Sequence, residues 1–431
     1  MFKPASILAA LLGLAIPAFC QSPTIPPSAA PNSHSVPDTD DLYQDVTKDG
    51  FSFPVSYIGE VQANLRGGYR SGAVYNGLLE AGVVIDLSKL AKWPGLTFAA
   101  DAYYPHGDSL SDRDVHDLNS VSSIQAAAYP RLYELWLEQD LMDGKLSIRF
   151  GQLPVDTEFF LTTCGALFFN GAFGAAEVLA LNMNAPVYPV AAPGVRVWVK
   201  PDDHWGVLAG AFIGNPGDVN SVDRYGTNFN FNSDNGVLLL AELNYTSYPH
   251  CAPPPGPDGK AVAAPTARPL SGTYKVGGFY DSIHFYDIKT GKQLDGDYGL
   301  YAVADQELWH KPGNPDAGLR GFSRIGWAPS DRNLVDFEYE GGLNLLGPLP
   351  GRDKDLAGLA FAYTKTSTGV LSDAGTPPAR HYESIIELTY QASINDHLSV
   401  QPDVQYVINP SGGAEHLHNA LVVGMRFNLS F

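Results

Sequence analysis

The sequence predicts an all-β fold, a transmembrane antiparallel β-barrel of about 16 strands with one inward-folded constriction loop. Three observations lead there. Short runs with a period of two recur along the chain, the pattern of strands whose two faces meet different surroundings. No stretch beyond the N-terminus approaches the roughly 18 consecutive apolar residues of a spanning helix. The chain also ends in a stripe of Leu421, Val423, Met425, Phe427, Leu429 and Phe431, which alternates with Val422, Gly424, Arg426, Asn428 and Ser430.

The N-terminus carries Lys3, an apolar run from Ile7 to Ile16, and Ala18-Phe19-Cys20. This reads as a signal peptide over residues 1–20 and hence as an exported chain. Phe19 stands where lipidation of Cys20 would require a small residue. Residues 21–50 carry Pro23, Pro26, Pro27, Pro31 and Pro37 among Ser and Asp, a composition that builds no core, and read as a flexible periplasmic tail. The barrel is expected over 51–431. The whole chain's mean hydropathy of −0.09 suits a wall in which only every second residue is apolar. The net charge of −19 argues against nucleic acid as a partner, because phosphate contacts need a basic footprint. Cys164 and Cys251 are too few for a disulfide scaffold, and only geometry decides whether they pair.

Alternation and bounding Gly, Pro or Asp place the first eight strands near 57–67, 77–88, 95–104, 130–141, 144–153, 193–200, 205–213 and 236–247. Eight more follow near 271–284, 297–309, 317–328, 332–345, 355–366, 381–393, 397–408 and 418–431. Within one hairpin, Tyr133, Leu135 and Leu137 alternate with Glu134, Trp136 and Glu138, and Leu146, Ile148 and Phe150 with Ser147, Arg149 and Gly151. Asp143-Gly144 supplies the positive φ angles of its turn. Barrels place short turns on one rim and long loops on the other. Here long connections fall at 105–129, 154–192, 214–235 and 367–380, and short ones at Met142-Asp143, 201–204 and 394–396. The insertion 248–270 and the tight turn at 329–331 break the alternation. The connection 154–192 is long and apolar, unstable dangling in water, and is expected to fold inside the barrel. A soluble sandwich with one wetted face competes for the hairpin taken alone; the terminal stripe favours the barrel.

In a barrel the polar face lines the lumen, since Arg or Lys facing lipid near the midplane costs about 2–4 kcal/mol. Arg66, Asp101, Glu134, Trp136, Arg149, Asp156, Glu158, Arg196, Trp198, Arg324, Glu387 and Arg426 are the candidates for contacting a polar solute. Guanidinium and carboxylate groups can replace water around it and indole rings offer flat faces. The same charges could serve only to solvate the wall, and the two Trp could pack against the inserted loop. Trp205, Trp309 and Trp327 fall near strand ends, as interfacial girdle residues do. His416 and His418 lie two apart without further ligands, so no metal or other cofactor is called for. Asp156 and Glu158 could imitate an acid/base pair, but anchoring the loop to Arg149 or Arg196 is the simpler use.

An ordered set of segments carries a family likeness: Asn64-Leu-Arg-Gly-Gly68, Arg131-Leu-Tyr-Glu-Leu-Trp-Leu-Glu-Gln139, Phe150-Gly-Gln-Leu153, Phe169-Asn-Gly-Ala-Phe173, Tyr188-Pro through Pro193-Gly-Val-Arg196, Glu387-Leu-Thr-Tyr-Gln391 and Gln401-Pro-Asp-Val-Gln405. With these the chain resembles the OprB-type carbohydrate-selective porins. The resemblance implies a bacterial outer-membrane location, sixteen strands, a third extracellular loop folded inward, and passive diffusion of small sugars without catalysis. It leans toward a monomer rather than a trimer, in contact with outer-membrane lipid and delivered by the barrel-assembly machinery. A porin for other small solutes and a β-fold glycan-active enzyme are the alternatives.

Overall fold

The computed structural model describes residues 49–217, 223–227, 229, 232–248, 269–311, 314–369 and 380–431. A two-residue strand, β1 (Phe51–Ser52), is followed by β2 (Val55–Gly68), β3 (Gly72–Asp86), β4 (Leu96–Gly107), β5 (Arg131–Leu141), β6 (Leu146–Leu153), β7 (Ala192–Val199), β8 (Trp205–Ile213) and β9 (Val237–Ser247). The second half contributes β10 (Gly272–Tyr286), β11 (Gln293–Lys311), β12 (Asn314–Trp327), β13 (Val335–Leu346), β14 (Leu356–Thr366), β15 (Tyr382–Asn395), β16 (Leu398–Ile408) and β17 (His418–Ser430). Each strand from β2 onward pairs antiparallel with its sequence neighbour, and β17 returns to pair with β2. The result is a closed barrel of sixteen strands with no free edge. The signal-peptide and tail readings (1–20 and 21–50) fall almost wholly outside the described residues, as do most of the 248–270 insertion and Cys251.

Strand β9 shows how the pattern makes a membrane wall. Leu239, Ala241 and Leu243 are exposed while Leu240, Glu242 and Asn244 between them are buried. Elsewhere Phe150, Val276, Leu300, Leu359 and Leu388 also stand exposed on the outside, where lipid rather than water rewards them. Trp205, Trp309 and Trp327 are exposed near strand ends, and Trp93 sits in the β3–β4 turn. No helix among the described residues is long and apolar enough to cross a membrane; the strands do it.

At the seam, Arg426 lies directly opposite Glu60 and the two form a buried ion pair. Phe431 exchanges backbone hydrogen bonds with Val55 (N–H to O, 2.9 Å), and its ring stacks on His397 with 75% of its surface exposed. The β5–β6 turn spans four residues, 142–145, rather than the two expected. Met142, Asp143 and Gly144 all have positive φ.

Two bulges correct the sequence register. In β5 the pairing to β4 shifts between Asp101 and Ala102. Tyr133 is thereby turned inward beside Glu134, fully buried, and stacks on Tyr103 at 4.3 Å. In β2 a shift against β17 pairs Arg66 with the outward Leu421, because one extra residue exchanges the faces of everything beyond it.

The interior is filled from the loops. Val155, Phe159, Phe160, Val178 and Leu179 of the connection 154–191 form one core with Trp136, Leu208, Phe212, Tyr301 and Val335 of the strands. Leu167, Phe168 and Phe173 join Leu110, Val115 and Val121 of the connection 108–130 in a second core against Phe322, Ile385, Val407 and Val422. Burying each such aromatic is worth roughly 1.5–3 kcal/mol, which accounts for the apolar composition of a loop this long. The inward course of 108–130 was not expected from the sequence.

Candidate functional site

The strongest polar constellation lies where β5, β6 and β7 run side by side. The register sets Glu138 opposite Arg149, and Arg149 opposite Arg196, in one row across three strands. Two guanidinium groups directly opposite would repel. Glu138 separates them: Oε2 accepts from Arg149 Nη2 at 2.7 Å, and Oε1 accepts from Arg196 Nη2 at 2.9 Å. Glu158 on the inward loop closes the circuit, with Oε1 2.9 Å from Arg149 Nη1 and Oε2 paired to Arg196 Nε. Ser147 donates to Glu138 and accepts from Arg196 Nη1 at 2.6 Å. Below the row the Arg149 guanidinium rests 4.0 Å over the Trp136 ring, whose Nε1 donates to Glu134 Oε2 at 2.6 Å. Gly151, paired with Trp136 across the strands, sits at a φ of +146° where an added Cβ would meet Leu135 O at 2.1 Å, so the two backbones approach closely there.

Arg149 is 2% exposed, and Glu158 is the more open member of the ring, its side chain 18% exposed. Two positive and two negative groups, each a fixed fork or pair of oxygens, present both donors and acceptors at one spot.

A second pattern runs round the wall. Carboxylates and amides on strands far apart in the barrel receive the backbone of loop 154–191. Phe160 N–H donates to Glu242 at 3.2 Å, Cys164 N–H to Asp305 at 3.2 Å, Asn170 N–H to Glu387 at 3.0 Å and Val178 N–H to Glu338 at 2.9 Å. Gln401 and Asn344 donate to the carbonyls of Leu167 and Cys164. Because β9, β11, β13 and β15 lie around the barrel, the loop crosses its inside. Loop 108–130 is held likewise, with Leu118 and Asn119 N–H on Glu383 at 2.7 and 2.8 Å and Ser122 Oγ on Glu60 at 2.6 Å.

Trp136, Arg149, Glu158 and Arg196 thus come together. Four other candidates sit elsewhere and hold loops. Asp156 accepts Tyr188 N–H at 2.9 Å across the base of its own loop, and burial pushes its carboxyl up to about 6. Arg324 pairs with Glu340 and donates to the carbonyls of Gly174 and Ala172 at 2.6 and 2.8 Å. Glu387 takes the Phe169 and Asn170 N–H groups. Arg426, besides Glu60, lies 4.0 Å over the Phe169 ring. Asp101 and Glu134 are cross-strand neighbours, with Glu80 close by on β3 and Ser56 Oγ 3.0 Å from Glu80. Trp198 is half-buried, with Lys200 Nζ 5.4 Å from its ring. Arg66 stands apart, exposed near the loop end of β2 on the face shared with Leu421. Glu138 was expected in the lumen but not among the contacting residues, and Ser147 was missed. Their signal is the row itself, visible only once the strand register is known.

A family model described as "Carbohydrate-selective porin, OprB family" matches residues 70–431. The chain belongs to the OprB family of carbohydrate-selective porins. It is an outer-membrane channel for sugars and not an enzyme. Porin B of Pseudomonas aeruginosa is 27% identical over 421 residues, spanning 89% of this chain and 88% of that protein. The high-pH structure of Pseudomonas putida OprB aligns with a TM-score of 0.76 at 24% identity, covering 94% of this chain and all of that one. The low-pH structure of the same porin aligns with a TM-score of 0.57 at 19% identity and the same coverage. These two likenesses speak for the fold.

Proposed function

We propose that small sugars cross this porin passively, past a constriction built by loop 154–191, and that the Glu138–Arg149–Arg196–Glu158 ring is where they are sensed. The observation that carries this is the joining of wall and loop charges into one circuit whose open member, Glu158, sits on the loop. A passing hydroxyl can exchange hydrogen bonds with the Arg forks and Glu158 without leaving any group unpaired, so that exchange stays inexpensive. Trp136 is covered by Arg149 and acts by holding that guanidinium in place rather than by stacking on a sugar. Asp156, Arg324, Glu387 and Arg426 act through the loop; Glu134 touches the ring only through Trp136, and Asp101 and Trp198 line the wall beside it. Arg66 has no part in this reading.

The exposed belt meets outer-membrane lipid, and β17 with its terminal Phe431 is the segment read by the barrel-assembly machinery. A monomer suffices, since every group invoked belongs to one chain. The test is sugar block of single-channel current. Arg149→Ala combined with Arg196→Ala should weaken block while changing conductance modestly. Block unchanged in an assembled double variant would remove the ring from the account.

A further inference from the structure

We propose that loop 108–130 is a lid that acid fastens over the lumen and alkali loosens, with the enclosed Asp117 carboxyl beside Glu383 as its sensing group and the His116–Glu415 contact as its clasp. The proposal rests on the reading that loops 108–130 and 154–191 border the aperture, and it concerns how that border is regulated.

The geometry comes first. The His116 ring stacks on Tyr69 of the β2–β3 hairpin at 4.3 Å. Its Nδ1 lies 3.1 Å from both carboxylate oxygens of Glu415, in the β16–β17 loop. That contact clasps two extracellular loops together. The next residue, Asp117, is half-buried with both carboxylate oxygens shut away from solvent, and its neighbouring donors, Ser111 and the Val121 N–H, do not reach full hydrogen-bond geometry. The charged groups acting on it are carboxylates, Asp112 on its own loop and Glu383 on β15. Glu383 is the group that receives the Leu118 and Asn119 N–H groups and so seats the loop. Asp114 beside them is already matched by Arg70 and Arg113.

The lid is also coupled to the second loop. Ser123 N–H donates to Phe169 O at 2.7 Å, Gly171 N–H to Ser120 O at 2.7 Å and Tyr188 Oη to Ile124 O at 2.9 Å. Unseating 108–130 therefore releases part of the border of 154–191.

Asp117 sets the direction. Burial pushes the Asp117 carboxyl up to about 7 from an ordinary 3.8. The seated loop thus holds a proton that the released loop gives up, and seating is favoured as pH falls through about 7. Above that, a bare carboxylate is pressed toward Glu383, and release lets water reach it.

The experiment is single-channel conductance of the whole porin in planar bilayers, stepped from about pH 9 to about pH 5, with and without a neutral sugar. Wild type should lose conductance on acidification. Asp117→Asn should remove the step and stay in the lower-conductance form at every pH. Glu415→Gln should keep more conductance in acid than wild type. A flat wild-type profile overturns the lid even if no variant assembles, and so does an unchanged step in Asp117→Asn. Sugar block that persists through a flat profile sinks the lid alone. Absence of sugar block at every pH sinks the ring instead.

Discussion

At the scale of single residues, the interior charges work in closed sets. Removing one member of a buried pair leaves the other uncompensated, at a cost of about 3–5 kcal/mol. Glu138→Ala takes from both Arg149 and Arg196 the more deeply buried of their two shared carboxylates, so it should lower thermal stability by up to that order, far more than Arg66→Ala at the exposed rim. Equal melting temperatures for the two variants would contradict the ring. On β6, on the face opposite to Arg149, Phe150 is 51% exposed and Phe150→Arg should destabilise the barrel by about 2–4 kcal/mol, read as loss of heat-modifiable protein. Asp156 gives a pH signature. Its folded value of about 6 lies above the ordinary 3.8, so the folded loop binds the proton more tightly. Stability should therefore rise as pH falls through about 6 and level off near 3.8. Asp156→Asn should flatten that part of the melting profile, and an unchanged slope would assign it to another group. Which charges face inward was legible by alternation for Arg149, Arg196, Glu138 and Arg426. It was not for Tyr133 or Arg66, because a bulge leaves no mark in a period-two pattern until the partner strand is known.

At the scale of elements, strand existence was written plainly and loop course was not. Each expected strand from 57–67 to 418–431 has its counterpart, since alternation acts locally and one lipid face disciplines every strand alike. Boundaries slipped where a strand outlasts its apolar stripe, as β3 does by beginning at Gly72 rather than near 77. Loop 154–191 betrayed itself by Phe, Val and Leu that need a core. Loop 108–130 did not, because its buried Leu110, Val115 and Val121 are scattered among Ser, Asp and Asn, and the rest of its seat is Ser122, Asn119 and backbone N–H groups meeting Glu60 and Glu383, residues ordinary in any exposed loop. Removing most of 154–191 should widen the pore, so conductance should rise and sugar block should weaken. An assembled deletion that conducts and discriminates as before would put selectivity on the wall. At the other rim, deleting Phe431 removes the stacking on His397 and the backbone bonds to Val55. Less folded protein should then reach the outer membrane, with unchanged yield and mobility counting against a role in assembly.

At the scale of the whole molecule, the barrel and its filling depend on each other. The wall's inward carboxylates need the N–H groups of the loops, and the loops' aromatic residues need the shelter of the wall, so that neither has a low-energy state without the other. A sugar-selective channel follows if the space left between them is continuous, narrow and lined where Glu158 meets Arg149 and Arg196. The most direct measurement is single-channel current through the intact porin in a planar bilayer as a neutral sugar is titrated in. The account predicts a steady, small conductance that declines saturably with sugar and declines less when Arg149 and Arg196 are both replaced by Ala. Current indifferent to sugar, or no current from correctly assembled barrels, would contradict it.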